Sequence, residues 1–117
     1  MKLWTWEHGR QGGGYSKLTI AFSRALNFDV YLLHLPLGSM VRHHTDPAPA
    51  GFEHHRINIT LRSAQKGGIT YFEMPNERPE KAPKHYHFRP DVVRHFVTPI
   101  MKGSVLLLSI GWLRKAK

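Results

Sequence analysis

The chain carries nine histidines and no cysteine in 117 residues. Any metal it holds must therefore be bound by imidazole and oxygen ligands rather than thiolate. The histidines are His8, His34, His43, His44, His54, His55, His85, His87 and His95. A single histidine is an ordinary surface or core residue, so the arrangement is what carries information. His44-Thr45-Asp46 places an imidazole and a carboxylate two positions apart at the end of an extended stretch. Residues i and i+2 of an extended chain point to the same side, so the pair can grip one ion. His95 follows 49 residues later near the start of another extended stretch. Two neutral imidazoles and one carboxylate form a facial ligand set that leaves about three coordination positions open for substrate and dioxygen. A bare His-x-Asp is common, however, and a loop aspartate before proline with two unrelated histidines reads the same way. Whether the three meet depends on the elements that carry them.

Those elements read as β throughout. Strands are predicted at 17–23, 28–35, 39–44, 55–61, 69–73, 85–89, 94–100 and 104–113. The clearest is His-Arg-Ile-Asn-Ile-Thr-Leu at 55–61. Its Ile57, Ile59 and Leu61 alternate with Arg56, Asn58 and Thr60, the period-2 pattern of a strand between two unlike environments. Gly67-Gly68 and Lys102-Gly103 read as turns, and Pro75, Pro79 and Pro83 mark a polar loop at 75–83. Residues 24–27 are expected to form a helical turn. The first sixteen residues read as irregular, with Gly9-Arg10-Gln11-Gly12-Gly13-Gly14-Tyr15 as a mobile entry loop; it lacks the Lys-Ser/Thr ending of a phosphate loop. About eight short strands with short connections predict two packed sheets or a jelly roll in a single domain over 1–117. An immunoglobulin-like sandwich or an open five-stranded barrel satisfies the same pattern.

Composition narrows the function. Lys and Arg number 17 against 8 acids, for a formal charge of +9. Such a field attracts polyanions, which makes nucleic acid a candidate partner, although the charges are scattered rather than gathered in one tract. The longest apolar run, 105–113, is much shorter than the roughly 20 residues a membrane helix needs. With no signal-like start and no cysteine, the chain is expected to be soluble and cytoplasmic, with no membrane partner. Nucleophilic catalysis has no Cys and no Gly-x-Ser-x-Gly to work with.

The order of further landmarks adds to this. Gly38 precedes His44 by six residues; Phe96-Val97-Thr98-Pro99 follows His95; Lys102-Gly103 leads into an apolar strand ending in Ile110-Gly111-Trp112. Taken together, segments 38–46, 54–61 and 91–112, about a third of the chain, resemble the double-stranded β-helix superfamily of iron(II)- and 2-oxoglutarate-dependent oxygenases. Within it they look most like the aspartyl/asparaginyl β-hydroxylase branch. The resemblance implies a jelly-roll, cupin-like barrel. It implies Fe(II) held by His44, Asp46 and His95, 2-oxoglutarate as cosubstrate on the same ion, and hydroxylation of an unactivated C–H bond, with no catalytic residue beyond the metal ligands. In most of the superfamily a basic residue ten positions after the second histidine anchors the far carboxylate of the cosubstrate. That position is Val105 here. The hydroxylase branch also places an arginine on the strand after the His-x-Asp loop, a position matched by Arg56, with Asn58 on the same face. Lys102 and Arg62 are weaker cosubstrate ligands, and Tyr31 and Ser109 could hydrogen-bond to it.

Three functions are therefore in play: a dioxygenase acting on a small molecule, peptide or nucleobase; a metal-binding cupin without 2-oxoglutarate chemistry; and a basic β-barrel that binds single-stranded nucleic acid.

Overall fold

The computed structural model describes residues 3–8 and 13–116. These contain strands and turns and no helix. Accordingly none of them forms a helix long and apolar enough to cross a membrane. The strands are β1 (Trp6–His8), β2 (Ser16–Ser23), β3 (Phe28–Leu35), β4 (Val41–His44), β5 (Phe52–Arg62), β6 (Lys66–Gly67), β7 (Thr70–Phe72), β8 (Glu80–Lys81), β9 (His85–Phe88), β10 (His95–Val97), β11 (Ile100–Lys102) and β12 (Val105–Lys115). A six-stranded sheet runs β1-β2-β3-β12-β5-β9, a four-stranded sheet runs β4-β10-β7-β8, and β11 pairs with β6. All strand pairings are antiparallel. The chain thus forms the jelly-roll, cupin-like fold expected from the sequence.

Among the described residues twelve strands replace the eight predicted, for local reasons, and Gly67, expected in a turn, ends the two-residue strand β6 paired with β11. The stretch 94–100 is two strands rather than one. Pro99 has no N–H for the ladder, and β10 ends before it while β11 begins after it. The segment before residue 16 contains β1, which continues the large sheet by pairing Trp6 with Leu18 and His8 with Ser16. The loop 75–83 includes the two-residue strand β8, paired with β7. Residues 24–27 form a non-helical turn, closed by Asn27 at a φ of 55°. Of the glycine-rich segment, residues 9–12 lie outside the described residues.

Strand β12 is the spine of the large sheet, lying between β3 and β5. Its Val105, Leu107, Ser109 and Gly111 are buried on the inner face, while Leu106, Leu108, Ile110 and Trp112 are half-buried on the other. Both faces are largely apolar, which is why the segment reads as one greasy run instead of an alternation. The apolar core fills one end of the barrel with Tyr15, Leu35, Val41, Val97, Ile100, Val105 and Leu107. Beyond it the interior turns polar. On β5, Arg56 and Asn58 are buried, and Ile57 and Ile59 take the outer face.

Candidate metal centre and its cavity

Antiparallel pairing of β4 with β10 sets His44 directly opposite His95. Directly opposed residues project to the same side of a sheet. The two imidazole rings lie 4.2 Å apart, centre to centre. The loop after β4 is pinned by the Asp46 N–H donating to the Pro90 carbonyl at 2.7 Å, which turns the Asp46 side chain back onto the two rings. His44 Nε2 stands 3.6 Å from Asp46 Oδ1, and His95 Nε2 stands 3.8 Å from Asp46 Oδ2. Among the described residues this is the one group of three or more metal-ligating side chains whose ligand atoms converge, all within 4.8 Å of one another.

The protonation of the site follows from its hydrogen bonds. His44 Nδ1 lies 2.6 Å from the Arg42 carbonyl and His95 Nδ1 lies 2.9 Å from the Val93 carbonyl. A carbonyl can only accept, so both Nδ1 atoms carry a proton, and in the neutral form of each ring the lone pair is on the Nε2 that faces the carboxylate. A second hydrogen bond of this kind is how metal-binding histidines are usually oriented. Burial lowers the His95 pKa, with the Val93 bond opposing and His44 adding to the shift, which favours the neutral, ligating form. Bonds of about 2.0–2.2 Å to one ion put adjacent N and O ligands about 3–3.5 Å apart. The two histidine–aspartate separations are a few tenths of an ångström wider than this, and the three ligand atoms as a group, within 4.8 Å of one another, would draw together on an ion. The donor set therefore fits a divalent first-row metal.

His43, the neighbour of His44, points away: it pairs with Glu73 and stacks on Phe96 at 4.0 Å. That is the alternation expected of a strand. His54 is held by two partners. Its Nδ1 donates to the Asp46 carbonyl at 3.3 Å and its Nε2 accepts from Arg56 Nη1 at 3.2 Å. Burial, then the Arg56 charge, lowers its pKa, in keeping with a neutral ring. His87 meets His55 at 2.9 Å on the outer face, where His55 also donates to Glu53 at 3.0 Å. His85 joins neither contact.

A cavity of about 180 Å³ opens behind the metal group. Its walls include His44, Asp46, His95, Asp29, Tyr31, Arg56, Asn58, Tyr86 and Lys17. Arg56, only 4% exposed, is fully partnered by protein. Its Nε donates to Ser109 Oγ at 2.8 Å, Nη1 meets His54, and Nη2 pairs with Asp29. Its guanidinium also covers the Tyr31 ring at 4.4 Å. The hydrogen-bonded chain continues across the sheet. Ser109 Oγ donates to Asn58 Oδ1 at 2.6 Å, and Asn58 Nδ2 donates to the Tyr86 hydroxyl at 3.0 Å. Tyr31, Ser109, Asn58 and Tyr86 occupy one cross-strand row, so register alone brings them together. Burial raises the pKa of both tyrosines, against the lowering influence of Arg56 on Tyr31 and of Asn58 on Tyr86.

Sequence reasoning placed Arg56 and Asn58 on the polar face of β5, and both line the cavity. It did not find Lys17, Asp29, His54 or Tyr86. Asp29 and Lys17 lie on the inward phase of β3 and β2, a signal available only once the register across β12 is known. Lys102 and Arg62 are not among the cavity walls. Val105, the residue at the usual anchor position, is 4% exposed in the apolar core and offers no charge.

No protein-family model and no curated protein matches the chain. Solved structures do. A Pseudomonas putida prolyl-4-hydroxylase is similar at a TM-score of 0.72 and 16% identity, covering 96% of this chain and 78% of the other. The viral collagen prolyl hydroxylase vCPH from Paramecium Bursaria Chlorella virus-1, in its 2OG complex, is similar at a TM-score of 0.57 and 21% identity over 78% of this chain and 61% of that one. The Schizosaccharomyces pombe Cnp3 cupin domain is similar at 0.59 and 13% identity, covering 92% and 67%. At these identities the likeness is one of fold: a double-stranded β-helix, the architecture common to these hydroxylases and cupins.

Proposed function

We propose that the chain is a non-haem iron(II)- and 2-oxoglutarate-dependent dioxygenase, a hydroxylase of the aspartyl/asparaginyl β-hydroxylase-like branch. The observation that carries the proposal is the convergence of His44, Asp46 and His95, whose ligand atoms lie within 4.8 Å of one another with each Nε2 facing an oxygen of Asp46. The similarity to two prolyl hydroxylases supports the same reading through the fold. Iron(II) and 2-oxoglutarate, when bound, would supply the reducing equivalents that activate dioxygen, the oxoacid losing carbon dioxide as a substrate C–H bond is hydroxylated. The chain's own work is to hold and orient. The Arg42 and Val93 carbonyls fix the ring tautomers, and the Pro90 carbonyl fixes the Asp46 loop. Arg56 and Asn58 form the polar wall on which the cosubstrate rests, with Arg56 held rigid by Asp29 and Ser109.

The deciding experiment is anaerobic addition of iron(II) and then 2-oxoglutarate, watching for a weak visible charge-transfer band. The band is expected in the wild-type protein and not in His95→Ala. Iron binding without the band would refute the oxygenase reading. It would favour a metal-binding cupin of other chemistry, the alternative that Val105 at the usual anchor position supports.

A further inference from the structure

The two faces of the six-stranded sheet differ in what covers them. The inner face shares its core with Val41 and Val97 of the four-stranded sheet. The outer face is apolar as well, and the strand register shows how far. Directly opposed residues project to one side of a sheet. One cross-strand row runs Trp6, Leu18, Leu32, Leu108, Ile59 and His85 across all six strands. The next row joins Ala21, Val30, Ile110, Ile57 and His87. Neither row contains an Asp, Glu, Lys or Arg, in a chain that has 17 basic and 8 acidic residues. Every residue of both rows keeps part of its surface open, and the described residues include no helix to lie over them. At one corner the rings of Trp112, His55 and His87 are parallel to within 8°, which leaves the face flat there.

Area and charge together name the occupant. An exposed apolar patch of several hundred square ångströms marks an interaction site on a protein surface. Six strands about 4.8 Å apart, with outward rows about 6.6 Å apart, give the two rows and their flanking residues a footprint on the order of 600 Å². Two such faces in contact would bury about 1,200 Å², the lower end of stable, specific interfaces. An acidic protein or an anionic lipid surface is met by Lys and Arg, and these rows have none. Two copies of a +9 chain repel wherever their basic surfaces meet, but not across rows that carry no formal charge. A two-fold pairing sets one patch against its own copy, so an uncharged apolar face is its own complement. Twisted sheets stack in this way at an angle of about 30°, their facing side chains interdigitating.

We infer that the outer face of the six-stranded sheet is a dimer interface, on which a second copy of this chain packs its own large sheet face to face. Leu32 and Leu108, on the two middle strands, lie at its centre. The pairing leaves the metal group and its cavity, on the inner side of the sheet, outside the contact.

Sedimentation velocity over a concentration series tests this. The wild-type protein should sediment as a dimer with a dissociation constant in the micromolar range or tighter, as interfaces of this area do. Leu108→Glu should weaken the dimer by about 30-fold or more, the effect of a central interface residue. An equimolar mixture of Leu108→Glu with Leu108→Lys should recover most of that loss. Leu37→Glu, at a residue off both rows and 66% exposed, should leave the dimer unchanged. Should Leu108→Glu lose the wild-type circular dichroism spectrum, Trp6→Glu takes its place at a residue already 49% exposed, with a loss of about tenfold expected. Wild-type protein that stays monomeric at the highest concentration reached overturns the assignment without any variant. Monomer that pellets with phosphatidylcholine vesicles gives the face to lipid and overturns it too. A dimer that survives the folded variant unweakened places the contact elsewhere in the molecule, and the assignment falls.

Discussion

Gly111 is where the fold leaves room for Arg56, and replacing it by alanine is a sharp test of the buried network. Gly111 lies directly across from Arg56 in the β12–β5 ladder. A Cβ built there would stand 2.5 Å from both terminal guanidinium nitrogens, well inside van der Waals contact. Gly111 is not at positive φ, so alanine brings no backbone strain of its own. In the unfolded chain alanine would by itself stabilise by about 0.4–1 kcal/mol. Against that, the guanidinium must leave Asp29, Ser109 and His54. Breaking a buried ion pair costs about 3–5 kcal/mol. Asp29 keeps 27% of its side chain exposed and can rehydrate, so the lower end applies. The net expectation is a loss of about 2–3 kcal/mol, a large share of the 5–15 kcal/mol typical of a domain. At about 4 °C per kcal/mol for a chain of this size, the melting temperature should fall by about 8–12 °C. Urea denaturation followed by circular dichroism measures it. In an Arg56→Met background the same substitution should cost at most about 1 kcal/mol, because contacting residues are not additive. If Gly111→Ala changes stability by less than about 0.5 kcal/mol, or costs the same in both backgrounds, the guanidinium is not seated over Gly111 and the polar wall is wrong.

Other consequences can be checked separately. Manganese(II) at about one hundred times its dissociation constant should stabilise the fold by about 2.7 kcal/mol, and scanning calorimetry should show no such gain in Asp46→Ala. Tyr31 and Tyr86 have pKa values raised by burial above the ordinary 10.0. Neutral phenol is therefore favoured in the fold, and its stabilisation, complete below pH 10, is lost as the pH climbs through the raised values. In an absorbance titration both phenols should ionise late and together with unfolding, whereas early ionisation of either would contradict its burial; Tyr86→Phe should lessen the alkaline loss of stability. Ser109→Ala removes the link between Arg56 and Asn58 and should cost about 1–3 kcal/mol in a denaturant titration, since buried partners are left unsatisfied.

The barrel was legible because its strands announce themselves. The alternation from Arg56 to Thr60, the apolar run of β12 and the glycine turns set most of the elements. The meeting of His44, Asp46 and His95 was legible for the same reason, since His44 and Asp46 are near in sequence and His95 stands at the head of a later strand. What could not be read is which strands become neighbours. The row Tyr31–Ser109–Asn58–Tyr86 spans four strands and has no sequence spacing to betray it. The Asp29–Arg56 pair likewise joins residues 27 apart through the register on β12. Strand count failed where two or three residues suffice for pairing, as at β6 and β8, because such pieces carry no period of their own. Polarity misleads in the same way. A polar strand face ordinarily means water, yet here Arg56 and Asn58 face inward and Ile57 and Ile59 face out. Burying a guanidinium and an amide is costly unless each finds partners, and the chain supplies them from β3, β12 and β9. Satisfying this much polar surface around a cavity, where an apolar filling would be simpler, takes partners from three other strands, so the inward turn of Arg56 and Asn58 is a property of the strand pairing and not of the β5 segment alone.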